Sequence, residues 1–185
     1  GDVPARGLPV VIYSHGTGGS FHTVVSDRTC ELLAREGIAV FATDQVLSGP
    51  RAPPGSACLG QDVEVCFFNV VNAVAGRNLL RQSAIDQLSL RRALASFGLA
   101  ASQDRFGRTV TLRLDDIGFL GHSQGALTGS LSVPLDASVR YAVLSATGGH
   151  LATTLLERIE PDVKSLLESD LFLALDGVES LDPFH

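Results

Sequence analysis

The strongest chemical signal in the sequence is Gly121-His122-Ser123-Gln124-Gly125. It fits Gly-x-Ser-x-Gly. It lies between an apolar run, Ile117-Gly118-Phe119-Leu120, and a helix-compatible one, Ala126-Leu127-Thr128. A sharp strand-to-helix turn of this kind lifts its central serine above the sheet, and it closes only if the flanking positions lack side-chain bulk. Ser123 is therefore the candidate nucleophile. The helix that follows directs unpaired N–H groups and its positive dipole end toward the same point. The plainer alternative is an ordinary turn from strand to helix.

A second signal lies far upstream, in His15-Gly16-Thr17-Gly18-Gly19, just after another apolar run. An acyl-transfer site needs two backbone N–H donors aimed at the developing oxyanion. Gln124, directly after the nucleophile, is the first candidate donor. Thr17 is the second, with Gly18 as its substitute. A generic tight turn would also account for these glycines. A phosphate cradle fits poorly, because neither Gly-x-x-x-x-Gly-Lys nor a full Gly-x-Gly-x-x-Gly is present.

The elements that would position these residues follow from the apolar pattern. Leu8–Tyr13 and Ile38–Thr43 are expected to be buried strands. Asp116–Leu120 and Tyr141–Ala146 are the third and fourth. Helices are expected from about Val25 to Glu36, with Gly37 as the stop, and from Asn78 to Phe97, closed by Gly98. The stretch from Gln45 to about Gln61 is rich in proline and glycine and reads as a loop. Short strands alternating with helices describe α/β architecture on a parallel sheet.

Composition narrows the field. The chain has 185 residues, 45% hydrophobic and 18% charged, which suits one globular domain. The net charge is −6, Lys164 is its one lysine, and no basic run stands out, so a nucleic-acid partner is not expected. No apolar stretch approaches the ~20 residues of a membrane span. There is no methionine, which is expected of a processed chain or an excerpt, so a missing signal peptide says nothing about location. Of three cysteines, Cys58 and Cys66 are close enough to pair. Such a bridge would contribute about 2.5 kcal/mol. Three reduced thiols are the alternative.

Three stretches together resemble the α/β-hydrolase superfamily, and in particular bacterial extracellular and surface lipases and esterases. They are Pro9-Val10-Val11-Ile12-Tyr13-Ser14-His15-Gly16, Asn78-Leu79-Leu80-Arg81-Gln82-Ser83-Ala84-Ile85-Asp86, and Ile117 through Gly125. The resemblance covers roughly residues 8–150. It implies a three-layer sheet core with helices on both faces. Residues 151–185 would then be a helical cap or connecting segment of the same domain. It also implies a serine carboxylester hydrolase that needs no cofactor and no metal. The substrate would be a small-molecule or lipid ester, and the location secreted or cell-surface. A thioesterase or amidase on the same scaffold, or a non-catalytic module, are the competing readings.

A serine nucleophile needs a base and an orienting acid, and in this fold both follow it in the chain. Only His150 and His185 lie after Ser123. His150 follows the fourth strand, where the resemblance implies neither partner. Asp176 and His185 are in-chain candidates, but the spacing between them is too short for the intervening helix and strand. The expectation is that the chain ends before its acid and base, and that the fold is incomplete at both ends. Losing the base of such a triad costs on the order of 10⁶ in turnover. His15 and His122 are expected to be structural, Asp44 to cap the nearby loop, and Asp115 and Asp116 to be turn residues. The leucine-rich stretch 151–175 is either a cap over an acyl site or a helix packed on the sheet.

Overall fold

A computed structural model describes residues 5–52, 54, 63–69, 72–96, 101–103, 107–150, 153 and 157. The first strand, β1 (Leu8–Ser14), lies between β2 (Ala39–Ala42) and β4 (Thr109–His122), parallel to both. β5 (Val139–Ser145) runs parallel along the other side of β4. Among the described residues the sheet is therefore four parallel strands in the order β2-β1-β4-β5. A short strand, β3 (Ala101–Gln103), pairs antiparallel with the first residues of β4. This is an α/β fold.

Among the described residues five α-helices connect the strands: α1 (Thr23–Ser26), α2 (Thr29–Arg35), α3 (Val63–Phe68), α4 (Ala73–Ser96) and α5 (Gln124–Ser132). The core sits where α4 meets the sheet, with Leu94 against Val10, Ile12, Leu112, Ile117 and Phe119. Val11 and Tyr13, which alternate with Val10 and Ile12, are buried as well. β1 is thus covered on both faces, as an unbroken apolar run predicts for a central parallel strand.

Several expectations need correction. The single helix expected over 25–36 is two short ones, because Arg28 adopts a left-handed φ of 66° between them. The stop at Gly37 is as expected: its φ is +72°, its N–H donates to Ala34, and Ile38 donates to Leu33. That pair of bonds is the Schellman arrangement. The helix expected from Asn78 begins at Ala73 instead, and α3 and β3 were not anticipated. Residues 97 and 98, its expected end, lie outside the described residues.

The third strand is much longer than expected. Asp115 and Asp116 lie inside β4 rather than in a turn before it. They occupy a register break: Pro9 pairs with Arg113, but Val10 pairs with Ile117. Leu114, Asp115 and Asp116 are thus extra residues on β4, and an ion pair between Arg113 and Asp116 spans the irregularity. The expectation that these two residues form a turn is therefore wrong: they form an irregularity within a strand that is continuous through them.

Cys66 is disulfide-bonded and Cys30 is free. Cys58, the other half of the expected pair, lies outside the described residues. So do most of the 45–61 loop beyond residue 54 and, apart from residues 153 and 157, the whole of 151–185. No helix among the described residues is long and apolar enough to cross a membrane.

Candidate active site

Ser123 stands between the last residue of β4 and the first of α5. Its backbone has φ 51° and ψ −116°, a region that a residue with a side chain occupies only when the surroundings impose it. Three contacts impose it. The Ser123 N–H donates to the Ser145 carbonyl at 2.8 Å, which ties the turn to β5. The Ser123 carbonyl accepts from Ala126 and Leu127 at 2.9 and 3.0 Å, which starts the helix. The flanking glycines then allow the chain to double back.

A Cβ at Gly121 would lie 2.6 Å from the Gly125 carbonyl oxygen, so the two arms of the turn nearly touch. A Cβ at Gly125 would run into the carbonyl oxygens of Ser14 and His15. Glycine at 125 therefore has a tertiary reason beyond the sharpness of the turn. It lets the first turn of α5 lie directly on the end of β1.

That packing brings the two sequence signals together. A Cβ at Gly16 would lie 3.3 Å from the Ser123 Cβ and 3.1 Å from the His122 ring. The turn after β1 is closed by a bond of 3.1 Å from the Gly19 N–H to the Gly16 carbonyl, with Gly18 at φ +73°. A four-residue turn with positive φ at its third position is type II, and it wants glycine there. Within this turn the Thr17 and Gly18 amides donate to no group among the described residues. The Thr17 hydroxyl is buried and has no hydrogen-bond partner among the described residues.

Gln124 is the first residue of α5, so its N–H has no acceptor within the helix. Its side chain is buried, and neither side-chain amide atom has a hydrogen-bond partner among the described residues. Thr17 and Gln124 thus belong to the two segments that meet at Ser123, each with a backbone N–H left over.

His15 is fully buried and its ring is engaged twice. The backbone N–H of Gln45 donates to Nε2 at 3.0 Å, so the ring proton sits on Nδ1, which donates to the Gly16 carbonyl at 2.7 Å. Burial lowers its pKa below the ordinary 6.5, against the opposing effects of the Gly16 hydrogen bond and nearby Asp44. A neutral, doubly bonded ring is a strut. His122 is exposed, with Nδ1 3.4 Å from the Ser145 hydroxyl. His150 is exposed, its Nδ1 3.1 Å from the Thr153 hydroxyl. Among the described residues no histidine is hydrogen-bonded to the Ser123 hydroxyl, and Asp176 and His185 lie outside them.

Asp44 caps the loop, as expected: its Oδ1 accepts the Phe21 N–H at 2.9 Å. A groove of about 390 Å³ runs past Asp44, Arg51 and Asp86, but its walls do not include Ser123, Thr17 or Gln124. The sequence reading missed the buried polar residues behind the site. Gln45 binds His15, and Gln87 of α4 donates to the Ser14 hydroxyl at 3.3 Å. Gln87 had a usable signal, because it falls on the apolar stripe of α4. Gln45 had none, since it sits in a loop where any polar residue is ordinary.

Among the described residues no group of three His, Cys, Asp or Glu side chains is placed to hold a metal. No protein-family model matches this chain, and no curated protein does.

Proposed function

We propose that the chain is a serine carboxylester hydrolase of the α/β-hydrolase type. The Ser123 hydroxyl attacks the ester carbonyl carbon and loses its proton to a base. The carbonyl oxygen becomes an oxyanion held by the Gln124 and Thr17 N–H groups. Collapse expels the alcohol and leaves an acyl-Ser123 ester, which water then cleaves by the same steps to release the acid.

The observation that carries this reading is the approach of the Gly16 turn to Ser123, at 3.3 Å for a Cβ built on Gly16. It joins a strained serine to two segments with unused amides. The strain is what an exposed nucleophile at a strand end requires. The base and its acid partner are assigned to no residue among those described, with Asp176 and His185 as the in-chain candidates. A secreted or surface location remains part of the proposal.

A fluorophosphonate probe tests it. Mass spectrometry should find the adduct on Ser123, and Ser123→Ala should remove it. Turnover of p-nitrophenyl esters should be slow for want of a triad base, yet exceed that of matched thioesters and anilides; ordinary turnover abolished by Ser123→Ala would promote His185. A folded chain whose Ser123 stays unlabelled would favour the non-catalytic reading. Faster thioester or anilide turnover would move the assignment to another acyl-transfer reaction.

A further inference from the structure

We infer that Gln45 is a positioning residue for the oxyanion turn, holding the His15–Gly16 peptide against Ser123 from the exit of β2. The inference rests on the esterase reading and names a residue that reading does not use.

The geometry is specific. Gln45 lies 30 residues beyond His15 and reaches it through two groups. Its backbone N–H donates to His15 Nε2 at 3.0 Å, and its side-chain amide donates to the His15 carbonyl. The first bond orients the ring, so that Nδ1–H meets the Gly16 carbonyl at 2.7 Å. The second grips the backbone one residue before the turn. The Gly16 carbonyl then accepts from both the His15 ring and the Gly19 N–H, and is turned away from solvent.

The neighbouring Asp44 holds the other end of the same loop through the Phe21 N–H at 2.9 Å. Two consecutive residues at the end of β2 therefore clamp both ends of the segment that carries Thr17. Gln45 is 1% exposed, so its contacts are made away from water and are worth more than at the surface. The opposite wall of the turn is Ser123 itself. A donor pair is useful only if it is held where the oxyanion forms, and displacement by about 1 Å can cost about 10²-fold.

The test replaces Gln45 by leucine, which keeps the volume and removes the donor, and by glutamate, which puts a carboxylate opposite the His15 carbonyl. The expected result is a fall of about tenfold to hundredfold in the kcat of the residual reaction that the oxyanion hole supports without the triad base, with KM within about twofold of wild type. Amide hydrogen exchange at Gly19, whose N–H is held by the Gly16 carbonyl, should quicken in both variants, while exchange in α4 stays unchanged. Unchanged kcat in folded Gln45→Leu, or a loss appearing only in KM, would overturn the inference.

Should both variants fail to fold, the wild-type protein still decides the matter. Nitrogen chemical shifts of the His15 ring should show a proton on Nδ1 and none on Nε2, and the opposite tautomer would refute the clamp. Exchange and ring shifts do not depend on turnover. Failure of the esterase reading, seen as no Ser123 labelling, is therefore separable from failure of the positioning role.

Discussion

β1 and β5 flank the same strand, run parallel to it and are comparably apolar, yet they live in different surroundings. Val10 and Ile12 of β1 are 0% exposed, whereas Val143 of β5 is 58% exposed and Tyr141 43%. β1 has a strand on each side and side chains packed on each face; among the described residues β5 pairs only with β4. The lesson is that an apolar run reports a strand, while its neighbours decide how deeply it is buried. The functional candidates follow the same division. The seam between β1 and β4 carries the Gly16 turn and Ser123, and β5 contributes a single backbone bond from the Ser145 carbonyl to the turn.

The largest expected effect is at Gly125. Valine there places atoms against the carbonyl oxygens of Ser14 and His15, and backbone cannot swing aside. Gly125→Val should cost about 3 kcal/mol or more in urea unfolding and abolish Ser123 labelling. Its counterpart on the β5 side is Gly118, where a Cβ would meet the Tyr141 ring. That ring is 43% exposed and is the far end of a side chain rather than backbone, so Gly118→Ala should cost no more than about 1 kcal/mol and leave labelling intact. Equal costs would erase the distinction drawn between seam and edge.

Next come truncations within the two strands. Phe119→Ala, in the core beneath the seam, should lose about 3–5 kcal/mol. Val143→Ala on β5 should lose well under about 1 kcal/mol by the same measurement, because its side chain is already mostly in water. A cost at Val143 approaching that at Phe119 would mean that β5 is covered in solution.

The smallest effect is on pH dependence. Burial holds the pKa of His15 below 6.5, so the unfolded chain takes up a proton there before the folded one. The stability associated with the neutral ring should be complete above about pH 6.5 and should decline as pH falls from there toward the folded value. Denaturation midpoints at pH 8, 6 and 5 would show the slope, and His15→Asn should flatten it. Asp136 acts lower. Burial raises its pKa, but hydrogen bonds from Ser138 and the pairing with Arg91 at 2.7 Å outweigh that and hold it below 3.8. Its contribution should persist above about pH 4 and disappear as the carboxyl is protonated below that. The His15 window opens as pH falls through about 6.5 and the Asp136 window only below about 4, so a loss that begins only below pH 4 would contradict the His15 assignment.

Much of this was legible in the residues themselves. Local sequence carries local geometry. Apolar runs marked all four parallel strands, Gly37 marked a helix end through its left-handed cap, and glycines on either side of Ser123 marked a turn that tolerates no side chains. The candidate nucleophile Ser123 and the candidate donors Gln124 and Thr17, with Gly18 as substitute, were named from motif and local context. Where the reading strayed, a distant partner had intervened. Asp115 and Asp116 look like the end of a strand, and only pairing with β1 on both sides of them shows that β4 continues. Arg28 breaks a run that periodicity reads as one helix.

Sequence alone determined that β1, β2 and β5 extend, that Gly37 ends a helix and that Ser123 stands at a constrained corner, because those properties depend on neighbours a few bonds away. Tertiary structure decided that the Gly16 turn lies against Ser123, that Gly125 must be glycine for the sake of β1, and that Gln45 reaches back to His15. It also decided that β1 is enclosed while β5 is not. These are contacts between segments far apart along the chain, and they exist only once β1 and β4 have paired. No local periodicity encodes that choice of partner.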